Sequence, residues 1–244
     1  MSQQRIFITG ASSGLGAALA RAYAAPGVTL GLAARRIEKL ETLKGELEGR
    51  GSRVEVYSLD VTDRTATQQA IDRFVAVAGG IDLVYANAGV YQNCNPALGH
   101  VGEMEEVIDV NVRGAIYTLT AALAHMVQAK AGRLVIIGSI AGFKGLPGGV
   151  YSASKVFVRY LADGWRADLA EAGVGVTVIY PGFIATEMTG EGKDYPFLMP
   201  ADQAARAIKG AVAAGKDEFM LPWQWRLIVP FLRFLPASLF ARRF

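Results

Sequence analysis

The feature that most constrains this chain is a regular alternation along its length. Short apolar or β-branched runs at 5–9, 28–33, 53–58, 81–86, 133–138, 174–179 and, more weakly, 218–221 are separated by amphipathic stretches near 14–25, 36–48, 63–78, 101–130, 151–172 and 201–214. Strands joined by helix-length crossovers run parallel, because a hairpin cannot connect a parallel pair. Several runs are apolar on both faces, as in Leu134-Val135-Ile136-Ile137, which requires helices on both sides of the sheet. Right-handed crossovers then favour one fold class: α/β, a doubly wound, seven-stranded parallel sheet of Rossmann-like type in a single domain. A length of 244 residues suits one such domain, and 52% hydrophobic residues are enough to fill its core. The expected division is a body over 1–220 and a C-terminal tail over 221–244.

Where the first run meets the first amphipathic stretch the chain reads Thr9-Gly10-Ala11-Ser12-Ser13-Gly14-Leu15-Gly16. Glycines let the turn tighten and let a bulky pyrophosphate approach the backbone, and free amides at the helix N-terminus face the anion. A plain Gly/Ser loop would look the same in isolation. A strand before it and a helix after it make dinucleotide binding the stronger reading, with Gly10, Ser12, Ser13, Gly14, Leu15 and Gly16 as candidate contacts. An Asp or Glu at the end of the second run would accept from a ribose 2′-hydroxyl. The chain instead has Ala33-Ala34-Arg35-Arg36. Guanidinium groups bind a 2′-phosphate where a carboxylate would repel it. Cations at a helix start also oppose its dipole, which counts against two merely solvated arginines. Arg35 and Arg36 favour NADP(H) over NAD, although Ser13 stands where a basic loop residue would have added a second phosphate contact.

Charge excludes other partners. The formal net charge is +3, and the last acidic residue is Glu218. Arg226, Arg233, Arg242 and Arg243 follow it, so residues 1–218 carry −1 and offer no broad basic face to nucleic acid. The one cysteine, Cys94, cannot form an intrachain disulfide and fits a reducing, cytoplasmic compartment. His100 and His125 lack partners at metal-ligand spacing, so no metal site is expected. The N-terminal apolar run is too brief for a signal peptide, and no stretch is expected to reach the ~20 apolar residues of a membrane span.

Tyr151-Ser152-Ala153-Ser154-Lys155 opens the fifth amphipathic stretch. Residues four apart share a helix face, so the phenol and the ammonium are neighbours. A free phenol, with a pKa of ~10, is a poor base at neutral pH, and a nearby cation should lower that value. Ser139 ends the preceding strand and can bring a hydroxyl beside the phenol. Asn111 lies inside the long stretch 101–130, where a polar amide can break the helix locally and hold water. Each residue alone has an ordinary explanation as helix surface or cap. Together they fall at the carboxyl edge of one dinucleotide-type sheet, where ligands bind.

The motifs Thr9-Gly10-x-x-x-Gly14-x-Gly16, Asp60-Val61, Asn87-Ala88-Gly89, Asn111, Ser139, Tyr151-x-x-x-Lys155 and Pro181-Gly182-x-x-x-Thr186 run in order from about residue 5 to 190. In that order and spacing the chain resembles the short-chain dehydrogenase/reductase family, in its compact single-domain branch. The resemblance implies hydride transfer between NADP(H) and a carbonyl or secondary alcohol, with Asn111, Ser139, Tyr151 and Lys155 catalytic. It implies that Asp60 and Val61 contact adenine, that Asn87, Ala88 and Gly89 line the cofactor, and that Lys155 also binds the nicotinamide ribose. Asn111 would anchor a water that relays protons to Lys155, and Pro181, Gly182, Ile184 and Thr186 would hold the carboxamide end. Ala86 departs from the family's frequent second Asn. Val90, Tyr91, Ile140, Gly142, Tyr180, Phe183 and a substrate loop at about 187–200 would surround the small-molecule substrate, and their mostly apolar or aromatic character favours an apolar ketone or lipid-like alcohol. A non-catalytic NADP-binding sensor or scaffold is the alternative, weakened by the intact Asn-Ser-Tyr-Lys set.

Assembly as a homodimer or homotetramer is expected from Phe157, Leu161, Gly164 and Asp168 on the helix after Tyr151 and from the family habit of pairing this helix with the one near 101–130. The tail holds Trp223, Trp225, Phe231, Phe234, Phe240 and Phe244 with four arginines and no acid, and Pro230 and Pro236 should break it into short pieces. So apolar a segment must close over the pocket, pack on a partner subunit or lie peripherally in a membrane interface.

Overall fold

The computed structural model describes residues 4–92, 94–147, 149–190, 194–232 and 234–235. In chain order the strands are β1 (Gln4–Thr9), β2 (Val28–Ala34), β3 (Arg53–Ser58), β4 (Leu83–Ala86), β5 (Gly132–Ile137), β6 (Val174–Pro181), β7 (Ile184–Ala185), β8 (Met199–Pro200) and β9 (Glu218–Leu221). The helices are α1 (Gly14–Tyr23), α2 (Ile37–Glu48), α3 (Arg64–Ala78), α4 (Val101–Ile108), α5 (Ala115–Ala129), α6 (Val150–Asp168), α7 (Ala201–Ala213) and α8 (Trp225–Leu232). Seven strands form one sheet in the order β3-β2-β1-β4-β5-β6-β9, with every pairing parallel. This is the doubly wound architecture that the alternation predicts. The pair β7 and β8 form a separate parallel ladder, Ile184 opposite Met199, that ties off the segment between them.

Side-chain alternation along the strands divides the core into two layers. Ile6, Ile8, Leu30 and Leu32 face one side and pack with α1, α2 and α7. Phe7, Val84, Leu134 and Ile136 face the other and pack with α3, α5 and α6. Each fully buried Leu, Ile or Phe stabilises the fold by ~1.5–3 kcal/mol, so burial rather than helix propensity decides which stripe of each helix meets the sheet. Strand order reverses between β1 and β4. Their carboxyl ends splay apart there, leaving the crevice in which such sheets take ligands.

The long stretch expected near 101–130 is broken where Asn111 sits. A π-helical turn, Asp109–Gly114, separates α4 from α5. Counted across that turn, Val101–Ala129 is long and apolar enough to cross a membrane by length and composition, which corrects the expectation that no stretch would be. Half of that window is buried, and α5 packs on α3, β4 and β5, which is the position of a core helix. A second correction concerns Pro230, which does not break the tail there: α8 runs through it to Leu232. The helix starts only five residues earlier, so proline forfeits a single early backbone bond, and burial of Trp225 and Val229 holds the turn. Arg233, Pro236, Phe240, Arg242, Arg243 and Phe244 lie outside the described residues.

Candidate active site

The glycine-rich turn leaves β1 and enters α1 at the crevice. Gly10 has φ +67°, and a Cβ there would come within 2.8 Å of the Ala88 Cα. A methyl at Gly16 would collide with the Gly10 carbonyl. The turn is thus tight enough that only glycine fits at either position. Asn87 braces it from the end of β4, its Nδ2 donating to the carbonyls of Thr9 (2.8 Å) and Gly10 (3.2 Å). The Thr9 hydroxyl accepts from the amides of Asn87 and Ala88, each at 3.2 Å. Two adjoining hollows flank this brace and share Gly10, Ala88 and Gly89, forming one groove across the switch point.

One end of the groove collects the chemical side chains. Ser13, Gly14, Leu15, Gly16, Asn87, Ser139, Tyr151, Lys155, Pro181, Gly182, Ile184 and Thr186 line it together. Ser139 Oγ accepts from the Ala141 amide at 3.1 Å, which fixes the hydroxyl at the mouth of β5. Lys155 Nζ lies 5.6 Å from the Tyr151 ring centroid and donates to the Ile137 carbonyl at 3.0 Å. Burial pulls the Lys155 ammonium down from its ordinary 10.5 to about 8. Burial also pushes the Tyr151 phenol up, the Ser139 hydrogen bond draws it partly back, and the neighbouring Tyr91 adds to the rise. Lys155 alone therefore does not acidify the phenol. Lys155 is itself desolvated and turned to a carbonyl, so it cannot outweigh the burial of Tyr151. These side chains therefore keep the phenol protonated at neutral pH, the form a proton donor needs.

Asn111 lines neither hollow. Its amide makes a reciprocal pair with Val90, accepting from the Val90 amide at 2.8 Å and donating to the Val90 carbonyl at 2.9 Å. It also donates to Ser154 Oγ at 3.2 Å, joining the π-turn to α6. A Cβ on Gly89 would lie 3.2 Å from Asn111 Oδ1 and 3.7 Å from Lys155 Nζ, so the amide, the glycine and the ammonium converge.

The other end of the groove is lined by Ser12, Arg35, Arg36, Asp60 and Val61. Burial works against ionisation of Asp60, yet the amide and hydroxyl of Thr62, at 2.9 and 2.8 Å, and the charge of Arg35 hold its carboxyl below the ordinary range. Arg36 donates to Ser13 Oγ at 2.5 Å and to Ser12 Oγ, so the serine of the loop positions the cation instead of replacing one. Glu187 reaches across from the segment after β7 and accepts from Arg36 at 2.9 Å and from Lys39 at 2.7 Å. Those two cations hold its carboxyl down at about 2. Sequence reasoning missed both Lys39 and Glu187. They lie 148 residues apart, and nothing in their local pattern links them.

The family model of the short chain dehydrogenases matches residues 4–195. This chain belongs to the short-chain dehydrogenase family. An uncharacterized oxidoreductase of Myxococcus xanthus is 42% identical over 98% of this chain and 96% of its own. An alcohol dehydrogenase from the archaeon Thermococcus sibiricus, solved with 5-hydroxy-NADP, is 28% identical, covers 89% of this chain and 95% of its own, and superposes with a TM-score of 0.82. A short-chain dehydrogenase/reductase from Burkholderia phymatum, solved with NAD, is 24% identical over 94% of this chain and 92% of its own, with a TM-score of 0.86, and shows the same fold.

The Tyr151 end of the groove in this short-chain dehydrogenase is bordered by aromatic rings. The Tyr91 ring stands edge-on to Tyr151 at 5.2 Å. Phe183 stacks on Tyr195 at 4.5 Å and meets Trp225 at 6.0 Å, while Phe197 meets Trp225 at 5.7 Å. Trp225 of α8 therefore backs both the Pro181–Gly182 turn and the segment that β7 and β8 tie off. Two residues expected beside the substrate are placed elsewhere. Tyr180 lies in the core on the α6 side and donates to Glu218 at 2.8 Å, because alternation along β6 turns 176, 178 and 180 to the same face. Gly142 is buried against the backbone of Lys155.

Proposed function

We propose that this chain is an NADP(H)-dependent oxidoreductase that interconverts an apolar carbonyl compound and its alcohol. The observation that carries this reading is the convergence of Ser139, Tyr151 and Lys155 at one end of a groove whose other end is lined by Arg35 and Arg36, with Lys39 joined to Arg36 through Glu187. The cofactor fits the residues present. At Gly10 and Gly16 the cradle has no room for a Cβ, and at the cation end Arg36 meets the hydroxyls of Ser12 and Ser13 while Lys39 joins it through Glu187. Arg36 and Lys39 would take the 2′-phosphate in place of the Glu187 carboxylate, with Arg35 and Ser12 beside them. Asp60 and Val61 would border the adenine, Asn87 to Gly89 the ribose, and Pro181, Gly182, Ile184 and Thr186 the carboxamide.

When bound, the cofactor supplies or accepts the hydride at the substrate carbon. Ser139 and Tyr151 hold the substrate oxygen, and the protonated Tyr151 phenol donates its proton to that oxygen in reduction. Lys155, part-way through titration near pH 8, orients the ribose and replenishes the phenol, and Asn111 keeps the π-turn against Val90 and α6 so that a water can reach the ammonium. Relatives solved with 5-hydroxy-NADP and with NAD leave the choice of cofactor to these local cations. Tyr91, Phe183, Tyr195 and Phe197 favour an apolar substrate. We further infer a homodimer or homotetramer, because Phe157 and Tyr160 of α6 and Val101 and Ile108 of α4 are exposed on adjoining helices.

The test is NADPH and NADH oxidation with a panel of ketones and aldehydes of increasing chain length. NADPH-driven turnover that rises with apolar length supports the reading. No turnover with any member, alongside tight NADPH binding, would favour a sensor or scaffold.

A further inference from the structure

The aromatic cluster at Trp225 joins the substrate side of the molecule to a surface that the proposed reaction does not use. Trp225 and Val229 point inward from α8, each 7% exposed, and pack on Ile140, the residue after Ser139. On the outward face Trp223 is 64%, Leu227 63% and Phe231 68% exposed. These residues recur at intervals of four and make one apolar ridge along α8 and the turn that leads into it. The neighbouring segment adds exposed Met188, Phe197 and Leu198, and Phe197 touches Trp225 directly. So the ridge and the rim of the groove's substrate end meet through one cluster of rings.

Charge identifies what covers this ridge. Arg226 is exposed between Trp223 and Leu227. Arg233, Arg242 and Arg243 follow in sequence, and no acidic residue occurs after Glu218. A second copy docked ridge to ridge about a two-fold axis would set this acid-free, arginine-bearing segment against itself, with like charges facing. An anionic lipid surface meets both features at once. Tryptophan and phenylalanine enter the boundary between headgroups and acyl chains, and arginines pair with lipid phosphates. The body of the chain, at −1 over residues 1–218, adds little repulsion.

We infer that α8 and the adjoining rim dock this protein peripherally on an anionic membrane, with the substrate end of the groove opening toward the lipid. This rests on the proposed reaction only for the substrate: a carbonyl compound or alcohol that partitions into the bilayer enters the groove from the surface on which the enzyme sits.

Co-sedimentation tests it, using the full chain with vesicles of phosphatidylcholine alone and of equimolar phosphatidylcholine and phosphatidylglycerol. Binding to the mixed vesicles should exceed binding to phosphatidylcholine by at least ~10-fold and fall as salt screens the arginines. Leu227→Asp with Phe231→Asp, both outward on α8, should abolish it. Turnover of a water-soluble ketone and the molar mass by light scattering should stay unchanged in that variant. Failure of the wild type to sediment with the mixed vesicles overturns the inference, as does a doubly substituted chain that still sediments. A doubly substituted chain that falls apart into smaller species also overturns it, since the ridge would then be a subunit contact. Loss of ketone turnover in the wild type would instead count against the proposed reaction, and the vesicle result would stand apart from it.

Discussion

At the scale of single residues, Lys155 and Glu187 separate what this site does from what its motif implies. A lysine four residues after a tyrosine reads as a cation that acidifies a phenol. Its burial reverses part of that logic, because the same desolvation that raises Tyr151 lowers Lys155 to about 8. A base whose folded value is depressed binds fewer protons in the native state than in the unfolded state between the two values. The penalty is present in full below pH 8 and is relieved as pH rises toward 10.5. Lys155→Met should therefore stabilise the protein at pH 7, by on the order of 2 kcal/mol, while weakening NADPH binding. That stability gain should shrink between pH 8 and 10, and denaturant melts of both proteins across this window measure it. A gain that does not vary with pH would mean that packing, not charge, is responsible. Glu187 bears on the cofactor. Glu187→Gln removes the carboxylate that Arg36 and Lys39 hold, so NADPH should bind more tightly while NADH changes little. Arg35→Ala with Arg36→Ala should do the opposite, weakening NADPH selectively. Titrations of cofactor fluorescence read both, and equal effects on the two cofactors would remove the 2′-phosphate from this corner of the groove.

At the scale of elements, one glycine links the carboxamide end of the groove to α8. A Cβ on Gly182 would collide with the Trp225 indole. Gly182→Ala should displace the indole, loosen α8 and cost ~1–3 kcal/mol of stability, together with a drop in turnover. Thermal unfolding alongside the ketone assay checks this, and an unchanged midpoint would show that α8 is not docked there. Most of this element plan was legible in the sequence. The two-sided apolar strands predicted the parallel sheet, and a lone amide inside an apolar helical stretch predicted a local break, which is the π-turn at Asn111. What was not legible has physical reasons. The ladder of β7 and β8 is two residues per strand, too short for any period. The resemblance places Tyr180 beside the substrate, but alternation along β6 turns it into the core. The ion pairs of Glu187 join positions far apart in the chain and carry no local signature.

At the scale of the whole molecule, one groove runs from the corner lined by Arg35 and Arg36 before α2 to an aromatic rim at α8, and sheet topology places both ends. Among the exposed apolar residues are two sets on different elements, Phe157 and Tyr160 on α6 and the ridge of α8. They should have separable roles. Phe157→Asp with Tyr160→Asp should convert the assembly to monomers by light scattering without affecting vesicle binding, and a wild type that is already monomeric at micromolar concentration would contradict the oligomer. The central claim is that Tyr151 is the proton donor of an NADP(H)-dependent carbonyl reduction, and the most direct measurement is the turnover of Tyr151→Phe set beside its NADPH affinity. The substitution removes one hydroxyl and keeps the ring against Tyr91. Turnover should fall at least ~100-fold with NADPH affinity nearly unchanged. Near-normal turnover in that variant would contradict the account.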